Sequence, residues 1–202
     1  MNDIASMKAS FAEQAVIFRR RHNWIMCWLY TGTFGSFIGY SAAFPLVTKT
    51  QFPEINALQL AFLGPLVGAL SRSLTGWIAD RFGGGRVTLW VFVLMMAGVG
   101  GVLFGLAQHS FPIFFASFLV LFFATGVGNA STFQMIPAIM RKEIKRLEPG
   151  LSGPDQVKQA EKESAAIIGF TSAIAAYGAF FIPKAYGSSI AATGGIEAAL
   201  YG

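Results

Sequence analysis

Arg72 is the strongest candidate for a functional residue in this 202-residue chain, because it is the one formal charge within the apolar run 57–79. An ionisable group inside a membrane-length segment is costly and marks a functional site by default. Four residues recur at intervals of four and are predicted to share one slowly drifting stripe of a helix: Gly64, Gly68, Arg72 and Gly76. Because small-residue stripes are packing faces in membranes, Arg72 is predicted to point into protein or a cavity, away from lipid.

The depth and chemistry of Arg72 favour an anion as its partner. Asp80 follows eight residues later, which is about 12 Å of helix, and half of the hydrocarbon core is about 15 Å, so Arg72 is predicted near the membrane midplane. Its flat guanidinium donates two parallel hydrogen bonds to a planar oxyanion. The alternative is a structural ion pair with a carboxylate outside this chain, since no Asp or Glu falls inside a predicted span.

A glycine-rich loop at the end of the run 57–79 carries a second motif. Its residues are Gly76, Asp80, Arg81, Gly83 and Arg86. The spacing resembles the G-x-x-x-D-R-x-G-R/K loop of the major facilitator superfamily, whose glycines permit a tight turn and whose carboxylate can meet a neighbouring helix dipole or a basic partner. An ordinary basic loop is the alternative. The glycines do not form a phosphate loop, because no Gly-Lys-Ser/Thr sequence follows them.

The elements that must position these residues are membrane helices. The chain is 54% hydrophobic and 12% charged, whereas soluble domains carry about 25% charged residues. A spanning helix needs about 20 apolar residues. Five stretches qualify and predict an all-α membrane fold after a polar linker over 1–23: 24–47, 57–79, 87–107, 112–138 and 164–183.

The basic residues predict how these spans are oriented. Twelve of the 15 Lys and Arg residues lie before span one or in the connections after spans two and four, whereas Lys49 and Lys184 lie on the opposite side. By the positive-inside rule, the N-terminal segment is predicted to be cytoplasmic. The longest connection, 141–163, is predicted to be polar, with a helix-prone stretch that enters the last span.

Several other classes of protein are disfavoured by the same residues. A single cysteine, Cys27, excludes an internal disulfide and a cysteine metal cluster. His22 and His109 have no second ligand at metal spacing, so neither a metal nor a cofactor is expected. The sequence shows no nucleophile–base pair and no phosphate loop, so an enzyme is not expected. The net charge of +5 is explained by the loops of a membrane protein, and no nucleic-acid partner is expected.

Four longer segments resemble the nitrate/nitrite porters (NarK type) within the major facilitator superfamily. They are 29–39, 68–73, 126–135 and 169–187. Each is similar to the corresponding segment of the C-terminal six-helix half of those transporters, and the resemblance extends over about 21–192. An odd number of spans and a helix-like sequence at 198–202 lead us to expect a fragment that lacks the last span of this half and the whole N-terminal half.

The resemblance implies a site for nitrate or nitrite between the two halves. Arg72 matches the arginine of the C-terminal half that grips the anion, and its partner arginine would lie in the missing half. Tyr30 and Phe34 match the aromatic pair that lines the site, where ring edges favour an anion and the tyrosine adds a hydroxyl donor. Without the resemblance, plain packing would be the preferred role of these two rings.

Three further positions are implied by the same resemblance. Gly169 and Ser172 match places where span five approaches the substrate, and Asn129 matches a position where the family can carry a small polar residue. The chain departs from the family pattern at three alanines, where glycine is frequent: Ala175, Ala176 and Ala179. Alanine still permits close packing, but it leaves the span less flexible.

The predicted function is exchange of nitrate and nitrite across a bacterial inner membrane by alternating access, in a multi-pass protein. The expected partners are the two anions, the lipid bilayer and the missing N-terminal half. The open alternatives are a facilitator for another small anion, a nitrate/proton symporter, and a non-transporting anion-binding module or inert fragment. The predicted spans hold no carboxylate for a proton relay, which favours exchange.

Overall fold

The computed structural model describes residues 15–195 together with 198 and 199. Most of the predicted linker 1–23 and most of the stretch 198–202 lie outside these residues. Within the described part the regular structure is helical and no strand occurs, which confirms the predicted all-α membrane class. In chain order the helices are α1 (Arg21–Tyr30), α2 (Ser36–Gln51), α3 (Ala57–Leu60), α4 (Leu63–Leu74), α5 (Gly76–Phe82), α6 (Gly84–Ala107), α7 (Phe111–Leu147), α8 (Gly153–Ala176) and α9 (Gly178–Thr193).

Several of these helices join end to end into longer rods. A π-helical turn, Thr31–Gly35, connects α1 directly to α2. Thr75 alone separates α4 from α5, and Tyr177 alone separates α8 from α9. The break at Tyr177 falls inside the predicted span 164–183, which therefore consists of parts of two helices.

Four stretches of the described residues are long and apolar enough to cross a membrane, with mean hydropathies from 1.3 to 2.3. They are Ala57–Leu74, Gly84–Ala107, Phe111–Leu147 and Gly153–Thr193. These stretches overlap the last four predicted spans. The first predicted span, 24–47, is helical as expected, but it contains many glycine, serine, threonine and tyrosine residues and is not one of the four.

The connection between α7 and α8 is much shorter than the predicted polar connection 141–163, because both helices extend into it. Pro149 cannot continue α7. Ser152 starts α8 as its N-cap by accepting a hydrogen bond from the backbone N–H of Asp155. The helix-prone stretch predicted at the end of this connection lies in α8. The extension of α7 to Leu147 was not predicted, because polar composition marks where a helix leaves lipid and does not mark where the helix ends.

α6 and α7 pack closely because glycines of α6 face α7. Gly98, Gly101 and Gly105 lie along this contact, and a Cβ added to Gly105 would lie only 2.6 Å from the backbone nitrogen of Phe114. Small residues let membrane helices approach backbone to backbone. The contact holds α7 firmly in the bundle.

Two hydrophobic clusters form the interior. The larger is centred on phenylalanines of α2 and α7 that are at most 1% exposed: Phe44, Phe114, Phe118 and Phe122. The smaller joins the 3-10 turn Ala15–Arg19, α1, α7 and α8; its buried members are Ile17, Met26, Ile136, Met140, Ile144, Ala160 and Ile167. The two clusters fix α7 against the rest of the bundle along most of its length.

A charged cluster ties the start of α1 to α7 and α8. The Nε and Nη2 atoms of Arg20 each donate a 2.8 Å hydrogen bond to a carboxylate oxygen of Glu163. Glu163 is only 2% exposed. Arg20 also lies 3.5 Å from Glu148, and His22 contacts Glu143. The hydrogen bond with Glu163 raises the pKa of Arg20 above its usual range, so this guanidinium stays charged.

Candidate anion-binding site

α4 is held against α7 by close contact between small residues. A Cβ added to Gly64 would overlap the ring of Phe122, and one added to Gly126 of α7 would overlap the carbonyl of Gly68. Two helices can meet this closely only where both lack bulky side chains. The first two residues of the predicted stripe, Gly64 and Gly68, therefore form a packing face.

Arg72 lies beside this packing face and not on it. Ser71 is 5% exposed and continues the contact toward α7, whereas Arg72 is exposed. The backbone of Thr75 leaves the helical region, with φ −106° and ψ 4°, and places Gly76 in α5. The predicted four-residue stripe is thus interrupted at Arg72, which turns away from α7 before the helix breaks, whereas Gly76 beyond the break again lies close to α7.

The Arg72 guanidinium lies over the ring of Phe133 of α7, whose centroid is 5.6 Å from the Cζ atom of Arg72. A cation over a ring face at this distance is an attractive arrangement. No carboxylate of the described residues forms an ion pair with Arg72. Its charge is thus left available for another anion.

Tyr30 and Phe34 form a stacked pair next to this ring. Their centroids are 5.2 Å apart with an interplanar angle of 27°, and Phe133 lies 6.4 Å from Tyr30. The π turn begins directly after Tyr30 and contains Phe34. A π turn holds more residues per turn than an α turn. Residues four apart therefore lie more nearly above one another, and the rings of Tyr30 and Phe34 stack.

Thr33 holds the π turn against α7. Its hydroxyl lies 3.2 Å from the carbonyl of Leu29 and 3.4 Å from the hydroxyl of Thr132. A Cβ added to Gly128 of α7 would lie 2.6 Å from the Thr33 methyl group. Bulges of this type are frequent at functional sites, and this one sets the position of the aromatic pair.

α8 contributes Ser172 to the same region. The Ser172 side chain interacts with the hydroxyl of Tyr30, which also lies within electrostatic reach of Arg72. Gly169, one turn earlier, is exposed, and a Cβ added there would meet nothing within 4 Å. Ser172 therefore lies beside Tyr30 of the aromatic pair, while Gly169 borders open space.

Asn129 lies deeper than the other predicted site residues. It is 2% exposed and sits one turn before Phe133 on α7. Its Oδ1 atom has no hydrogen-bond partner among the described residues. The unpaired acceptor is unusual for a buried amide, and it lies one helical turn behind the aromatic set.

The glycine-rich loop lies at the junction of α5 and α6, and its residues line no part of this arrangement. Gly83 has φ +85°, a conformation that favours glycine, as the tight-turn prediction requires. A Cβ added to Gly76 would lie 2.8 Å from the Gln134 side-chain nitrogen. Asp80, Arg81 and Arg86 are exposed.

Phe133 and Thr33 were not among the residues predicted for the site. Both lie in segments of the chain that carry the family resemblance, but only their three-dimensional contacts single them out. One sequence signal for Phe133 was its spacing of four from Asn129, which places both residues on one face of a helix.

Comparison with known proteins identifies the relatives of this chain. The chain is 50% identical over 200 residues to the nitrate/nitrite transporter NarU of Salmonella typhimurium and 49% identical to NarU of Escherichia coli. It is 37% identical over 209 residues to the probable nitrate/nitrite antiporter NarK2 of Thermus thermophilus. These relatives are nitrate/nitrite porters by name, and the chain is similar to them over nearly its whole length. This confirms the resemblance seen in the motifs.

The matches to the porters cover nearly all of this chain and less than half of each relative. They include 96% of the chain for both NarU proteins and 97% for NarK2, against 43% and 42% of the relatives. The chain thus spans less than half the length of the curated relatives it matches, in their C-terminal half. No family model matches the chain. The relatives are named as transporters, and the apolar helices indicate a multi-pass membrane protein.

Proposed function

We propose that this chain forms the C-terminal half of a transporter that exchanges nitrate and nitrite. The observation that carries the proposal is the Arg72 guanidinium, which forms no ion pair with a carboxylate of the described residues and lies over the Phe133 ring, within electrostatic reach of the Tyr30 hydroxyl that Ser172 contacts. The names of the porter relatives support nitrate and nitrite as the anions.

Each group around Arg72 suits a small planar oxyanion. The guanidinium offers two parallel donors in the plane of the anion. The edges of the Tyr30 and Phe34 rings carry partial positive charge and can flank that plane. The hydroxyl groups of Tyr30 and Ser172 supply further donors. Gly169 leaves space beside them for the anion to approach the backbone of α8.

The exposure of Arg72 supports a site that a second half completes. Facilitator halves rock about a site at their interface, and a guanidinium that faces water in one half becomes enclosed when the other half covers it. We propose that a second cation lies on the opposing half. The anion then offsets repulsion between the two cations and permits closure, which makes transport an exchange. The proposed location is a bacterial inner membrane, with the N-terminal end of this segment in the cytoplasm.

The decisive experiment is uptake of labelled nitrite into nitrate-loaded vesicles that contain the complete natural protein with this sequence. Arg72→Lys keeps the charge and removes the flat fork, and we expect it to lower the transport kcat/KM by roughly 10- to 100-fold. Arg141→Lys, the same change at an exposed position of α7, is the matched control and is expected to leave transport unchanged.

Three results would contradict the proposal in different ways. Unchanged exchange by Arg72→Lys would remove Arg72 from the site. Uptake that needs a proton gradient and no internal nitrate would indicate symport. Stimulation by another small anion, with no response to nitrate or nitrite, would assign a different substrate to the same site.

A further inference from the structure

A groove of about 450 Å³ lies between α5, α6 and α7. Aliphatic and aromatic side chains form its walls, among them Ile78, Trp90, Leu94 and Phe123. None of the predicted substrate-site residues lines it. Trp90 is 69% exposed and Phe123 is 43% exposed, so the groove opens to the outside of the bundle.

Two arginines line one end of this groove. Arg81 belongs to the last turn of α5 and Arg86 to the first turn of α6. Both are exposed, and neither forms an ion pair within the described residues. The Arg81 guanidinium carbon lies 5.7 Å from the ring centroid of Phe82. The groove therefore combines two uncompensated cations with a long apolar wall.

The position of the arginines matches the boundary of a membrane. Gly84–Ala107 is a membrane-length helix, and Arg86 lies in its first turn, with the turn at Gly83 just before it. From Arg86 to Leu94 the groove follows α6 for about 12 Å, compared with about 15 Å for half of the hydrocarbon core. Trp90 lies between Arg86 and Leu94, and tryptophan is enriched at membrane interfaces.

We propose that this groove binds a phospholipid with an anionic headgroup. The phosphodiester lies between Arg81 and Arg86, and an acyl chain follows the apolar wall formed by α6 and α7. Basic pockets beside transmembrane helices recognise anionic headgroups, and the arginine fork matches phosphate geometry. The lipid site is separate from the anion site of the proposed transporter and does not depend on which substrate that site binds.

The test is retention of phosphatidylglycerol by the complete natural protein during transfer from mixed phosphatidylglycerol and phosphatidylcholine nanodiscs into detergent, measured by native mass spectrometry. We expect the protein to retain phosphatidylglycerol in preference to phosphatidylcholine. Arg81→Gln/Arg86→Gln should weaken phosphatidylglycerol binding by roughly 30-fold, since each basic residue near a membrane surface contributes about a fivefold factor.

Two matched variants control for charge and folding. Arg141→Gln/Lys142→Gln removes the same charge from an exposed part of α7 outside the groove and should retain the lipid. Arg81→Lys/Arg86→Lys keeps the charge and should regain most of the binding. A phosphatidylglycerol with a photoreactive tail should label peptides of α6 and α7 in the unmodified protein.

The outcomes that overturn the proposal are specific. Equal lipid retention by the Arg81→Gln/Arg86→Gln variant, or equal loss in the Arg141→Gln/Lys142→Gln control, would remove the groove as the binding site. Displacement of the lipid by inorganic phosphate alone would indicate a simple anion site without an acyl-chain groove. Photolabelling confined to other helices would show that another part of the protein covers this surface.

Discussion

Gly169 and Gly178 lie in the same long helical stretch, yet their surroundings are opposite. A Cβ added to Gly169 would meet nothing within 4 Å, whereas one added to Gly178 would lie 2.6 Å from the Cα of Gly35. Close backbone contact explains the glycine at 178. Packing does not explain the glycine at 169, and access of an anion to the backbone is the proposed reason.

Gly169→Ala separates a role in binding from a role in packing. We expect the free energy of unfolding to rise by up to about 1 kcal/mol, because alanine is the better helix former and the added methyl group meets open space. The KM for nitrite should rise, because the methyl group occupies the space proposed for the anion. Thermal melting and vesicle uptake, both on the complete natural protein, measure the two effects. An unchanged KM would contradict the proposed place of Gly169 in the site.

The individual residues of the site could be predicted only in part. Arg72 stood out as a charge in an apolar run, and Tyr30 with Phe34 followed from the family resemblance. Phe133 could not be singled out, because its closeness to Arg72 depends on how α4 crosses α7. The π turn that stacks Tyr30 on Phe34 was equally hidden, since it is stabilised by contacts of Thr33 with a helix about 100 residues away in sequence.

The contact between the π turn and α9 is the next feature to test, at the scale of whole helices. Gly178→Ala should destabilise the protein by about 1–3 kcal/mol, because the new methyl group meets backbone atoms of Gly35 that cannot rotate away. Gly187→Ala, in the same helix and with nothing within 4 Å of the new Cβ, is the matched control. Thermal melting in detergent measures both variants, and equal melting temperatures would contradict the observed crossing of the two helices.

The Arg20–Glu163 pair predicts an asymmetric response to substitution. Arg20→Gln leaves the buried carboxylate of Glu163 without its charged partner and should lower the free energy of unfolding by roughly 3 kcal/mol. This is the lower end of the range for a buried pair, because Arg20 keeps some contact with water. Arg20→Met/Glu163→Met removes both charges and should cost less than that single change. Denaturant unfolding of Arg20→Met, Glu163→Met and the double variant forms a double-mutant cycle, and Arg20→Gln is measured beside them. A double variant that is less stable than Arg20→Gln would contradict this account of the pair.

The helices were easier to predict than their ends. Apolar runs of membrane length located the spans, since burial in lipid demands them. The extension of α7 to Leu147 was missed, because a helix outside lipid can be as polar as a loop, whereas the helix-prone stretch predicted before the last span lies in α8. The break at Tyr177 was also missed, because it accompanies the close approach of Gly178 to Gly35.

At the scale of the whole molecule, the exposed position of Arg72 predicts that this chain alone is a poor anion receptor. A guanidinium in water attracts an anion far less than one enclosed by protein. We therefore expect the isolated chain to bind nitrate at least roughly tenfold more weakly than the complete natural protein. Isothermal titration calorimetry in detergent measures both affinities, with circular dichroism to verify helix content. Equal affinities would contradict a site shared between two halves.

The length of α7 has a mechanical consequence. The helix runs for 37 residues, or about 55 Å, which exceeds the roughly 30 Å of a hydrocarbon core. Phe133 lies about 10 Å, and Leu147 about 31 Å, from the tight contact of Gly126 with α4. Pro137 lies between these two positions and removes a backbone hydrogen bond of the helix, so α7 is not a single rigid rod beyond Phe133. The α7–α8 junction can therefore bend relative to the part of α7 that is packed on α4, without moving the ring beside Arg72.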